Sequence, residues 1–194
     1  EEGNKLGNRH IHLVTNEPKA FKGKMAYGTF SGVTNYFAMV GKKADDLSER
    51  IGYYGEQLVL LAQTLGLNTC WVGLTYNNIK DAYIKGNDEK LCCMIALGYG
   101  DDTGRNLKRK TVEQVSNASD ITPAWFKKGV EAALLAPTAV NQQKFSFEYV
   151  GKKNNRHIVK ANKGFSLIGY TKMDLGIAKY HFEIAVENAN FMFI

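Results

Sequence analysis

One pattern occurs twice in the same order, and it restricts the fold more than any other feature of the chain. Apolar or aromatic residues fall at Ile51, Tyr54, Leu58, Leu61 and Ala62, and again at Leu175, Ala178, Phe182, Ala185 and Val186. The spacing is identical and traces one face of a helix. Gly52 and Gly176 take the same place within it. Upstream, Met39-Val40-Gly41-Lys42-Lys43 is echoed by Tyr149-Val150-Gly151-Lys152-Lys153, and Val33-Thr34-Asn35 more loosely by Ala139-Val140-Asn141. A strand, a Gly-Lys-Lys turn and an amphipathic helix therefore recur, which predicts a degenerate internal duplication. Two such halves would pack as a pseudo-dimer, and the seam of a pseudo-dimer is a natural place for a ligand.

The remaining elements fill in an α+β chain. His10 to Val14 reads as a short strand, a Gly-rich segment covers Tyr27 to Thr34, and Tyr36 to Gly41 reads as a second strand. Asp46 and Glu49 carry a capping-box signature for the first long helix. Gly66 followed by Leu67 predicts a left-handed helix end with its hydrophobic contact. A weaker helix is expected over Asn78 to Ile84. The apolar run Leu91 to Leu97 has the length of a strand buried on both faces. Thr122 and Pro123 open a helix to about Leu135 with the face Phe126, Val130, Ala133 and Leu134. Strands follow at Phe145 to Val150 and Arg156 to Lys160, and the last helix is expected from Asp174.

Composition excludes several classes. At 194 residues, 44% apolar and 23% charged, the chain is of ordinary globular make-up. No apolar run approaches a membrane span. The net charge of +6 is spread over scattered lysines, whereas a nucleic-acid face would be denser and interleaved with aromatics. Cys70, Cys92 and Cys93 form neither a disulfide framework nor a zinc pattern. They read as reduced, buried thiols of a cytoplasmic protein. The histidines show no metal spacing and read as surface or packed residues, and Glu56 reads as an exposed helix glutamate. The chain opens on Glu1 in a polar segment, and a further N-terminal segment is expected to be missing.

The chemistry concentrates after the second helix, at Ala136-Pro137-Thr138-Ala139-Val140-Asn141-Gln142-Gln143-Lys144-Phe145. Pro137 stops the helix, because the residue before a proline is pushed out of the helical region. The loop then offers a hydroxyl, three carboxamides and a cation. Carboxamides donate and accept, which suits the edge of a heteroaromatic ring or a polyol. The same residues also suit a solvated helix exit. Two weaker segments point the same way. Gly73, in Cys70-Trp71-Val72-Gly73-Leu74, would let backbone amides approach a flat ring. Lys108-Arg109-Lys110 could hold a phosphate. No nucleophile elbow, phosphate-binding Walker loop or dinucleotide fingerprint is present. Such a chain would leave the chemistry to a cofactor, with no catalytic side chain of its own.

These residues together resemble the FMN-dependent nitroreductase-like flavoproteins, and more closely the branch described as putative TM nitroreductase, in which two half-domains share one chain. The matching stretches are Gly52-Tyr53-Tyr54-Gly55-Glu56, Leu65 through Leu74, Ile95-Ala96-Leu97-Gly98-Tyr99-Gly100, Ala136 through Gln143, and Asp174 through Phe182. The resemblance implies a nitroreductase-like sandwich, with a central mixed sheet flanked by helices and a pseudo-two-fold repeat. It implies one domain over 1–194, in halves of about 1–121 and 122–194, with FMN between the halves.

By position, Pro137, Thr138, Asn141 and Gln143 match the loop that contacts flavin. Val72 and Gly73 match the segment whose backbone lies by the isoalloxazine ring, and Lys108 and Arg109 match the basic pair that reaches the phosphate. The implied partners are NAD(P)H and a small aromatic acceptor such as a nitroaromatic or quinone. The assembly implied is a homodimer or an intramolecular pseudo-dimer. Two departures stand out. The family's N-terminal Arg-Arg-Ser-x-Arg clamp is absent, with Arg9-His10 a poor substitute, and Gly100 stands where many relatives have proline. The alternative they raise is a non-catalytic flavin-binding or structural member of the fold.

Overall fold

The computed structural model describes residues 9–22, 30–101, 104 and 107–194. Of the Gly-rich segment Tyr27–Thr34, residues 27–29 therefore lie outside the described residues, as does the side chain of Arg9. The chain divides into two compact units. One comprises Glu1–Leu47 with Gln57–Gly104, the other Ser48–Glu56 with Arg105–Ile194. The division falls near residue 104 because Ser116 bridges Phe147, and the Asn117 side chain bonds both the N–H and the C=O of Tyr149. Those contacts tie the segment before the second helix to the strand after it.

The first unit is built on a four-stranded antiparallel sheet in the order β1-β2-β4-β3, formed by β1 (Arg9–Val14), β2 (Asn35–Lys42), β3 (Asn68–Val72) and β4 (Glu89–Gly98). In β4 the neighbours Cys93, Met94, Ile95 and Ala96 are all buried, as a strand covered on both faces requires. On one face Val14, Tyr36, Ala38, Val40, Val72, Met94 and Ala96 pack with Phe21 and Tyr83. Each large side chain buried there contributes about 1.5–3 kcal/mol. Cys93 is buried and Cys92 half-buried, but Cys70 is exposed, so only part of the expected thiol burial is realised.

The helix expected over Asn78–Ile84 does not form. Its residues make a turn, with Ala82 N–H bonded to Ile79 and the Tyr83 hydroxyl donating to Asn78 at 2.7 Å. Seven residues whose tyrosine is drawn into a core do not offset the cost of nucleating a helix. Lys42 and Lys43 are engaged with Asp88 and the carbonyl of Asn87.

The long helix α1 (Leu47–Thr64) contributes Ser48–Glu56 to the second unit and its remainder to the first. Asp46 is its N-cap residue, but its side chain makes no capping hydrogen bond, and Glu49 pairs with Lys179 instead of closing a capping box. The C-terminus follows the expectation closely. Gly66 takes φ +75°, its N–H bonds Gln63, and Leu67 N–H reaches back to Ala62, the paired bonds of a Schellman end.

The second unit holds α2 (Val112–Val115), α3 (Ala124–Ala133), α4 (Thr171–Ala185) and a separate mixed sheet in the order β5-β6-β7. Its strands are β5 (Phe145–Lys153), β6 (Arg156–Lys163) and β7 (Phe191–Phe193), the last parallel to β6. The single central mixed sheet is thus replaced, among the described residues, by two sheets, one wholly antiparallel. The reason is local. Asn154 and Asn155, both at positive φ, turn the chain back after β5, so β6 pairs with its own hairpin partner. Gly41-Lys42 and Gly151-Lys152-Lys153 close strands rather than form turns.

In the crossing of α1 and α4, the two glycines of the repeated pattern meet each other's helix. A Cβ at Gly52 would stand 2.0 Å from the Met173 carbonyl oxygen, and one at Gly176 would stand 1.9 Å from that of Glu49. The contact is reciprocal, because Glu49 precedes Gly52 as Met173 precedes Gly176. No other residue permits this approach. One turn further along, Glu56, 1% exposed, meets His181 Nε2 at 2.8 Å. Glu56 is therefore not an exposed helix glutamate. The glycine contact draws the helices so close that this face of α1 is sealed.

Candidate cofactor site

Helix α3 runs out through Leu134, Leu135 and Ala136, whose N–H groups bond Val130, Ala132 and Ala133. Pro137 then forces the chain out, and Thr138 is extended at φ −129°, ψ 152°. A short 3-10 turn follows over Ala139–Asn141. Within it and just after it, Val140 (φ 46°), Asn141 (φ 55°) and Gln143 (φ 47°) adopt left-handed backbone. Asparagine tolerates that region, but a β-branched valine is an outlier there. Each such residue costs on the order of 1–3 kcal/mol, and such strain persists only where the surroundings over-determine it.

The surroundings are specific. Thr138 Oγ1 accepts the N–H of Gln143 at 3.0 Å. Asn141 Nδ2 donates to the Lys108 carbonyl at 2.8 Å, and Gln143 Nε2 donates to the same carbonyl and to Asn141 Oδ1, each at 3.0 Å. Gln143, 4% exposed, also accepts the Lys110 N–H at 2.8 Å, while its carbonyl accepts Lys110 Nζ at 2.7 Å. The loop and the basic segment are thereby stitched together. Burial, aided by the charge of Lys144, pushes the Lys110 ammonium below its ordinary pKa. Lys110 is thus a tie within the protein, while Lys108 and Arg109 remain exposed.

From the opposite side, Asp174 in the first turn of α4 holds the loop. Asp174 is 2% exposed; its Oδ1 accepts the Ala139 N–H at 3.0 Å and its Oδ2 accepts Gln142 Nε2 at 2.6 Å. Burial raises its carboxyl above the ordinary range, and those two bonds pull it back. Gln142 Nε2 also donates to the Gly169 carbonyl. That fixes the orientation of the amide and leaves Gln142 Oε1 buried with no partner. A buried acceptor with no donor from the protein leaves room for a small donor from outside the chain, a water or a ligand N–H or O–H.

The structure thus brings Thr138, Asn141, Gln143 and the backbone of Lys108 together, with Pro137 and Arg109 exposed beside them in sequence. Gln143 serves as a scaffold, since its amide is spent on Lys108, Lys110 and Asn141. Val72 and Gly73 belong to the first unit, where Val72 is a buried core residue at the end of β3 and Gly73 begins the following bend. That unit has a cavity of about 520 Å³ lined by Thr15, Asn35, Asn68, Cys70 and Tyr99, among others. Gly100 closes it: its N–H bonds Asn68 Oδ1, and a Cβ there would press on the Asn68 side chain at 3.1 Å. Sequence reasoning missed Asp174, taken only as a helix start, and Gln142, one carboxamide among three. The equal spacing of the two helices could have drawn attention to Asp174, because its counterpart on α1 is Arg50.

The model of the family described as putative TM nitroreductase matches residues 1–186. The chain belongs to that family. This nitroreductase-family chain is also similar in structure to a putative nitroreductase from Thermotoga maritima MSB8, with a TM-score of 0.58 at 20% identity, covering 96% of this chain and 82% of that one. That likeness establishes the mixed α+β fold. No curated protein matches. Among the described residues of this family member, no helix is long and apolar enough to cross a membrane, and no group of three or more His, Cys, Asp or Glu could hold a metal ion.

Proposed function

We propose that the protein is an FMN-dependent oxidoreductase whose cofactor is held by the loop Pro137–Gln143. The observation that carries this reading is the strained run Val140, Asn141 and Gln143 beside the orphaned Gln142 Oε1. A loop held in costly backbone conformations, with one buried acceptor unsatisfied, is built for a ligand rather than for its own stability. The donor set fits a flavin. Thr138 can still donate its hydroxyl proton, Gln142 Oε1 can accept an N–H or O–H, and exposed Lys108 and Arg109 can pair a phosphate. Bound FMN would supply hydride transfer from NAD(P)H to a nitroaromatic, quinone or similar acceptor. The chain's part is to fix the ring edge, anchor the phosphate and set cationic groups near developing negative charge.

The reciprocal contact of Gly52 and Gly176 supports an internal duplication, since one register generates both the sequence repeat and the packing. A second reading, a non-catalytic flavin-binding member, is favoured by the side chains of Asn141 and Gln143 being already engaged. Mixing purified protein with FMN and then NAD(P)H separates the readings. Flavin uptake followed by bleaching and reoxidation by a nitroaromatic supports the enzyme. Uptake without bleaching supports the second reading, and no uptake contradicts both.

A further inference from the structure

We propose that Asp174 is the positioning residue of the cofactor loop, holding Ala139–Gln143 in the conformation that offers the Thr138 hydroxyl and Gln142 Oε1 to a ligand. The proposal rests on the reading of that loop as the FMN site. An acidic side chain in the first turn of a helix ordinarily serves the helix itself, accepting its free N–H groups. Asp174 does not. Its own N–H is already bonded to Tyr170, and both carboxylate oxygens reach out of the helix, Oδ1 to the Ala139 N–H and Oδ2 to Gln142 Nε2.

The carboxylate therefore grips the loop at the residue before the left-handed run and again inside it. A buried carboxylate with both oxygens bonded is rigid. It is placed beside Val140, a β-branched residue held at φ 46°, where side chains are strongly disfavoured. Gln142 passes the restraint on to Gly169, at the far end of the segment leading into α4. Asp174 touches no ligand in this account; it acts through Ala139 and Gln142.

Two substitutions test this from the two sides of one bond. Asp174→Ala removes the acceptor. Ala139→Pro removes the donor and leaves the carboxylate, and the extended ψ of 152° at Thr138 is one that a following proline accepts. Each variant is first shown by its thermal melt to be folded, and Asp174→Asn, which keeps one acceptor oxygen, replaces the alanine variant should that one not fold. Two readouts are taken on the full chain: amide hydrogen exchange at Gln143 against that at Val130 in α3, and the Kd for FMN. We expect Asp174→Ala to speed exchange at Gln143 at least about tenfold with Val130 unchanged, and to weaken FMN binding about tenfold. Ala139→Pro should give a smaller loss, about threefold, that does not add to that of Asp174→Ala.

Unchanged exchange at Gln143 in folded variants would overturn the positioning role whatever the FMN affinity. Faster exchange with unaltered FMN affinity would uphold the grip on the loop and overturn the assignment of that loop to FMN. Additive losses would show that Asp174 and Ala139 act separately, which also contradicts the proposal.

Discussion

The α1–α4 crossing and the loop Thr138–Gln143 lie in the same unit and were both marked by the sequence, yet they are built on opposite principles. At the crossing the two glycines share one register, and each is required because the partner backbone lies within 2.0 Å of where a Cβ would stand. No residue of the two helices takes a positive φ, and Glu56 is matched by His181. At the loop, residues that could relax are held at positive φ by side chains borrowed from α4 and the basic segment, and one buried acceptor lacks a donor. Repetition in the sequence marks packing, whereas the part that repeats only loosely forms the loop proposed to hold the cofactor. Asn35, the counterpart of Asn141 in that loose echo, begins β2 and merely accepts the Asn16 N–H.

The contrast predicts that substitutions at the crossing damage stability and those at the loop damage binding. The largest effect is expected from Gly176→Ala or Gly52→Ala. Either forces backbone apart and should cost at least about 4 kcal/mol, well outside the usual range for one residue. In a chain of this size that lowers the melting temperature by about 10 °C or more. A folded alanine variant with an unchanged melt would mean the helices do not cross here. Next comes Glu56→Ala, which leaves the buried His181 without its partner. A loss of about 3 kcal/mol in urea unfolding is expected, and a loss below about 1 kcal/mol would make the pair incidental.

At the loop the sign reverses. Val140→Gly relieves the strain, and despite the added freedom of glycine in the unfolded chain it should raise stability by about 1 kcal/mol. A destabilised variant would show that the valine side chain itself is needed. The smallest effect concerns Asp174. Its carboxyl is raised by burial, so over the window between the ordinary carboxylate range and its raised value the folded chain keeps a proton that the unfolded chain has released. Stability attributable to this group therefore falls as pH rises through that window. Melts of wild type and Asp174→Asn across mildly acidic pH should differ by that slope, and parallel curves would remove the perturbation.

Much of the architecture was legible because it follows from periodicity. The face Phe126, Val130, Ala133 and Leu134 is buried as its spacing requires, and Gly66-Leu67 ends α1 as glycine dictates. The edge strand β3 was not legible. Asn68-Thr69-Cys70-Trp71-Val72 lacks an apolar alternation, and only pairing with β4 makes it a strand. The helix expected at Asn78–Ile84 failed because tertiary burial of Tyr83 outweighed local propensity. At the site, residue types pointed to the loop, but a composition cannot reveal which carboxamides are spent on scaffolding. Gln143 and Gln142 look alike in sequence and differ only in what surrounds them.

The central claim, that the loop Pro137–Gln143 is a flavin site, is tested most directly by titrating FMN into the wild-type chain and the Thr138→Ala/Asn141→Ala double variant while following flavin fluorescence. Saturable quenching by the wild type and a loss of at least about tenfold in affinity in the folded double variant is the predicted result. Equal affinity of the two proteins would contradict it.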